Sequence, residues 1–82
     1  RDQCLKHWGY SCQVCELNFE DRYGSIGKNF IHVHHLNPIA LTGETKTDPV
    51  NDLRPVCPNC HSMLHKQYPP FSVEDLKKII QE

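Results

Sequence analysis

Two Cys-x-x-Cys pairs, Cys12/Cys15 and Cys57/Cys60, stand 41 residues apart in a chain of 82. Pairs this tight suit loops that turn around one metal ion, whereas a disulfide framework scatters its cysteines along the chain. A tetrahedral zinc takes four protein ligands, so the two pairs together fill one site. Any fold that uses them must bring residues 12–15 and 57–60 side by side. An apolar core is marginal in a domain this small, and a structural zinc would make up part of the deficit. A second assignment, Cys12 and Cys15 with His61 and His65 in zinc-finger style, leaves Cys57 and Cys60 without a role. Reduced, metal-binding cysteines imply a reducing, intracellular compartment, read here as cytoplasmic.

The fifth cysteine, Cys4, falls with Leu5 and Trp8 on one face of a short helix stopped by Gly9, and reads as a buried thiol. Residues 11–19 carry the first knuckle. A charged, glycine-punctuated connector over 20–27 has room for a helical turn. Phe30–His35 is a strand, aromatic and β-branched, with Phe30, His32 and His34 on one face and Ile31, Val33 and His35 on the other. Asn37-Pro38 ends it, and Thr42–Asp48, closed by Asp48-Pro49, is an exposed loop. Leu53–Val56 forms a second strand, at an edge because Pro55 cannot donate to a ladder. Pro58-Asn59 opens a helix through about Lys66 that sets His61 and His65 one turn apart on one face. The C-terminal helix, about residues 73–81, has Ser72 as N-cap, Asp75 at the capping-box position and Phe71 stapled on Leu76. Its stripe of Val73, Leu76, Ile79 and Ile80 should dock on the domain.

A formal charge of −1 is not that of a strongly basic nucleic-acid binder. A divalent ion held by neutral imidazoles would nonetheless place positive charge where a phosphate could sit, so charge neither supports nor excludes DNA. No apolar run approaches the roughly 20 residues of a membrane span, and nothing resembles a signal peptide. The chain begins at Arg1 without a methionine, which is read as a single domain cut from a longer protein. With four cysteines assigned to zinc, the remaining histidines are candidates for catalysis.

The segment Phe30-Ile31-His32-Val33-His34-His35, continuing through Leu36-Asn37-Pro38-Ile39, is followed by Asp52-Leu53-Arg54-Pro55-Val56-Cys57-Pro58-Asn59-Cys60-His61 and His65. Together with Cys12 and Cys15, these residues resemble the HNH endonucleases over positions 12–66, most of all the HNH domains of bacterial restriction-type nucleases. The resemblance implies an α+β fold: a small zinc-stabilised ββα-metal domain, here with flanking N- and C-terminal helices. It implies a structural Zn²⁺ on the four paired cysteines, a catalytic divalent ion on His34, His61 and His65, and His35 as general base. Neighbouring strand residues point to opposite sides, which lets one imidazole bind metal while the next accepts a proton. Mg²⁺, Mn²⁺, Ni²⁺ or Co²⁺ would suit the nitrogen set. The family's middle Asn braces the loop opposite the base. The matching position, nine residues before His61, holds Asp52, with Asn51 one place earlier. Ionised Asp accepts hydrogen bonds but cannot donate them, so either Asp52 braces through its oxygens or Asn51 shifts in. His32 is open between metal, phosphate and neither. Arg54 is the candidate phosphate contact, with Lys28, Lys46 and Lys66 as weaker ones.

The function so implied is metal-dependent hydrolysis of phosphodiester bonds in DNA, double-stranded and of restriction type, leaving 5′-phosphate and 3′-hydroxyl ends. Cutting both strands would require a homodimer, and target choice a fused DNA-reading domain. The competing reading is a catalytically inactive HNH-like zinc module that binds nucleic acid or protein. Such a module has no reason to keep an unligated histidine beside a liganding one.

Overall fold

The computed structural model describes residues 1–36 and 48–81. The expectations for Asn37-Pro38, for Lys46 and for most of the 42–48 loop lie outside these residues. Among these residues, two antiparallel strands and four helices make a small α+β domain: α1 (Asp2–Trp8), α2 (Phe19–Tyr23), β1 (His32–His35), β2 (Leu53–Val56), α3 (Pro58–Leu64) and α4 (Val73–Gln81). No described helix is long and apolar enough to cross a membrane.

Helix α1 ends where the spacing predicts. Gly9 takes φ 85° and donates its N–H to the Leu5 carbonyl at 2.8 Å, in the left-handed region open to glycine at little cost. Cys4 and Leu5 are buried beneath it. Burial pushes the Cys4 thiol up, in part offset by the N-terminal ammonium, Arg54 and Arg1, as befits a packing residue. The 20–27 connector holds more structure than one turn. Asn18 caps α2 by accepting from the Asp21 N–H at 3.1 Å, and a 3₁₀ turn follows over Gly24–Gly27. Gly27 is required there, because a Cβ would sit on the Phe19 carbonyl.

β1 begins at His32, two residues after the expected Phe30. The Phe30 N–H is taken by the Gly27 carbonyl at 3.2 Å, and the partner strand runs out, since His32 already pairs with Val56 at the edge of the second knuckle. The remaining register is Val33 with Pro55, His34 with Arg54 and His35 with Leu53. Leu36 N–H donates to the Asp52 carbonyl at 2.9 Å. Alternation of an antiparallel ladder then makes Val33–Pro55 a non-hydrogen-bonded pair, so the missing Pro55 donor costs the sheet nothing.

The core gathers Leu5, Val14, Ile31, Val56, Leu64, Val73 and Leu76 around Cys12, Cys57 and Cys60. α3 stops at Leu64 rather than near Lys66, leaving His65 as its C-cap. The Leu64 carbonyl is claimed by the Phe71 N–H at 3.0 Å as the chain turns back toward α4. Ser72 Oγ accepts from the Asp75 N–H at 3.0 Å, which fixes the start of α4 as its capping residues predict. The expected apolar stripe docks only in part. Val73 and Leu76 are buried, but Ile79 and Ile80 remain 48% and 51% exposed, because the seven-residue α3 is too short to cover the nine residues of α4. The uncovered turn borders an apolar groove of about 570 Å³ with Leu17, Met63 and Phe71.

Candidate metal centres and active site

The two knuckles converge. In the first, Cys12 N–H donates to the Leu17 carbonyl, Glu16 N–H donates to the Cys12 carbonyl, and Gln13 N–H donates to the Pro55 carbonyl, each at 2.9 Å. Glu16 takes the left-handed φ of 67° that closes this turn. The N–H groups of Val14 and Cys15 point at Cys12 Sγ, at 3.4 and 3.5 Å. In the second, Cys57 is the N-cap of α3, with Pro58 in the first helical turn and the Cys60 N–H on Cys57 Sγ at 3.4 Å. The four Sγ atoms lie within 4.8 Å of one another, and Cys15 Sγ is 3.7 Å from Cys57 Sγ. A tetrahedral Zn–S bond of about 2.3 Å implies a sulfur–sulfur edge of about 3.8 Å.

No disulfide forms among these thiols. Burial pushes Cys12 up, but N–H donors at Cys15, Cys57 and Val14 outweigh it and its pKa is lowered. Burial and then neighbouring sulfurs push Cys60 up, and burial raises Cys15 as well. One thiolate is therefore tolerated and further negative charge resisted, a condition that a divalent cation relieves. The mutually close set pairs Cys12 and Cys15 with Cys57 and Cys60, and not with His61 and His65.

The second cluster joins His34, His61 and His65, with one ring nitrogen from each within 4.8 Å of the others. β1 supplies His34, and α3 with its C-cap supplies the other two. Ring centroids are 5.3 Å apart for His34–His61, 5.0 Å for His34–His65 and 5.1 Å for His61–His65. His34 is 1% exposed, and its Nδ1 has no hydrogen-bond partner among the described residues. Leaving a buried polar atom unpaired costs about 1–3 kcal/mol, and such atoms call for an explanation; a metal ligand atom is one. Burial, followed by the charges of His61, His65 and His35, lowers the His34 pKa to about 4. Burial and then His65, His32 and His35 lower that of His61. Both imidazoles are thus held neutral, the form that ligates metal.

His35 is exposed next to buried His34. It lines a cleft of about 410 Å³ with Val33, His61, His65, Gln67 and Tyr68. The cleft thus presents one histidine outside the three-nitrogen cluster and two within it.

Asp52 and Asn51 both make side-chain hydrogen bonds, with Asp48 as their shared partner. Asp52 Oδ2 accepts from the Asp48 N–H at 2.9 Å, while Asn51 Nδ2 donates to Asp48 Oδ2 at 2.8 Å. Asp48 Oδ1 also accepts from the N–H groups of Val50 and Asn51, at 2.9 and 3.1 Å. Among the described residues, the side-chain contact to backbone is made by Asp52, whose main-chain carbonyl also holds Leu36, one residue past His35. Asp48 was missed as a site residue. Its signal is an Asp followed by Pro, whose carboxylate serves N–H groups two and three residues on.

Arg54 is committed more deeply than a phosphate contact requires. Its Nη1 donates to the carbonyls of Val50, Asn51 and Leu53 at 2.9, 3.2 and 2.8 Å, and its guanidinium lies 4.1 Å from the Trp8 ring centroid. Trp8 Nε1 donates to the same Val50 carbonyl at 2.8 Å. Lys28 and Lys66 are exposed. His32 reaches the histidine cluster from one side, its Nδ1 3.1 Å from His61 Nδ1.

The HNH endonuclease family model matches residues 12–67. The chain belongs to the HNH endonuclease family, a family of nucleases. Comparison with curated proteins and with solved structures gives no match.

Proposed function

We propose that this domain is a metal-dependent endonuclease that hydrolyses phosphodiester bonds in double-stranded DNA, of restriction type, with His35 as general base. One observation carries the reading: exposed His35 shares a cleft with His61 and His65, whose partner His34 is buried with an unpaired Nδ1. Three imidazoles with coordination positions left open fit a catalytic divalent ion rather than a closed structural one, and Mg²⁺, Mn²⁺, Ni²⁺ and Co²⁺ are the candidates. When bound, such an ion supplies electrostatic stabilisation for the charge that develops on the phosphate and on the leaving 3′ oxygen.

His35 accepts the proton of the water that attacks phosphorus from the cleft. The products keep a 5′-phosphate and a 3′-hydroxyl. Asp52 holds the strand end that carries His35 through the Leu36–Asp52 bond, and its carboxylate holds the turn beneath by accepting the Asp48 N–H. Asn51 supports the same turn through Asp48. Arg54 remains the candidate phosphate contact, through guanidinium N–H groups other than those on its three carbonyls. Cys12, Cys15, Cys57 and Cys60 would hold a structural zinc, which would fix α3, and with it His61 and His65, against β1. One such site cuts one strand at a time, so a double-strand break takes two copies of the chain or a fused partner domain.

The test is relaxation of supercoiled plasmid by zinc-loaded protein in EDTA, Mg²⁺, Mn²⁺, Ni²⁺ and Co²⁺, with His34→Ala alongside. Nicking in at least one of these ions, absent in EDTA and lost in the variant, is expected. Absence of cleavage in every metal from folded wild-type protein would overturn the reading in favour of an inactive zinc module.

A further inference from the structure

His32 precedes His34 by one strand repeat and lies on the same face of β1. Its Nδ1 is 3.1 Å from His61 Nδ1, with the rings 85° apart. It nevertheless stands outside the mutually close set of His34, His61 and His65. When two neutral imidazoles meet nitrogen to nitrogen at this distance, one carries the proton and the other the lone pair. A ligating histidine ordinarily donates its second ring N–H to an acceptor that fixes the tautomer and orients the ring. Among the described residues, the side-chain group meeting His61 in this way is neither a carboxylate nor an amide but a second imidazole.

We propose that His32 is a positioning residue for the metal centre: its Nδ1 accepts a hydrogen bond from His61 Nδ1–H, leaving the His61 Nε2 lone pair for an ion shared with His34 and His65. The assignment rests on the three-histidine metal site proposed above. It leaves the His32 ring proton on Nε2, and it ties α3 to β1 at the point where the two elements supply their ligands. A leucine at position 32 would keep the bulk and lose the acceptor. An asparagine would place an amide oxygen near the former Nδ1 and keep the hydrogen bond.

The experiment uses protein loaded with zinc at the four cysteines, as wild type, His32→Leu and His32→Asn, with folding checked by circular dichroism. Long-range ¹H–¹⁵N spectra of the histidine rings, recorded without a second ion, are expected to show His61 protonated on Nδ1 in wild type and His32→Asn, and mixed tautomers in His32→Leu. Calorimetric titration with Ni²⁺ is expected to show affinity about 10–100-fold weaker in His32→Leu, with recovery in His32→Asn. A wild-type His61 protonated on Nε2 would overturn the proposal. So would equal affinity in wild type and His32→Leu, or equal weakening in the two variants. Wild-type protein that takes up no Ni²⁺ would overturn the metal site and this role together. Normal wild-type uptake left unchanged by His32→Leu would overturn this role alone.

Discussion

His34 is the residue at which the site and the fold make opposing demands. A fully buried imidazole ringed by three others is held neutral, with its pKa lowered from 6.5 to about 4. Because the folded-state pKa is depressed, the unfolded chain binds the proton more readily throughout that window. The stabilisation is therefore fully present above about pH 6.5 and lost as pH falls toward 4, a change on the order of 3 kcal/mol. Urea midpoints measured from pH 7 to 4.5 on zinc-loaded protein should fall, and His34→Gln should flatten the His34 share of that fall. Identical slopes in the two proteins would contradict this account of His34. The adjacent His34-His35 pair was legible in the sequence because strand alternation by itself sends neighbours to opposite sides. The His32–His61 contact was not, because it depends on where α3 lies across β1, and no local pattern encodes that.

At the scale of elements, caps and knuckles were readable and element lengths were not. Ser72 and Asp75 marked the start of α4, and Gly9 the end of α1, because each signal is a local hydrogen bond or backbone angle. α3 ends early because Phe71, seven residues on, takes the Leu64 carbonyl, a tertiary event. The same shortness leaves Ile79 and Ile80 half-exposed where periodicity alone docks them. Arg54 gives this scale its prediction. With its Nη1 on three carbonyls and its guanidinium over Trp8, it fastens α1 and the Asp48–Asp52 turn to β2. Arg54→Met should therefore destabilise the domain by about 1–3 kcal/mol in urea unfolding. An unchanged midpoint together with weaker, less salt-sensitive DNA binding would return Arg54 to a pure phosphate role. Gly27→Ala should also destabilise, by about 1–3 kcal/mol, because the new Cβ meets the rigid Phe19 backbone. A neutral substitution would show that the turn can move aside.

For the molecule as a whole, the four-cysteine site adds a second joint to the one that Arg54 and Trp8 make between α1 and β2. It fastens the first knuckle to the start of α3, and three of its cysteines are part of the core itself. Zinc binding at such sites is inseparable from folding. Chelation strong enough to strip the metal should therefore abolish the cooperative unfolding transition and most of the helical circular dichroism. A melting curve unchanged after verified zinc removal would argue against the site. The architecture followed from the cysteine and histidine spacing because side chains that meet at one point constrain distant segments far more sharply than hydropathy does in a chain this small. The central claim is that metal binding and proton abstraction fall to neighbouring residues of one strand. It is tested most directly by measuring Ni²⁺ affinity and single-turnover DNA cleavage side by side in wild type and His35→Ala. The expected result is near-wild-type affinity with cleavage reduced about 10²–10⁴-fold. Cleavage at the wild-type rate, or loss of metal binding together with activity, would contradict it.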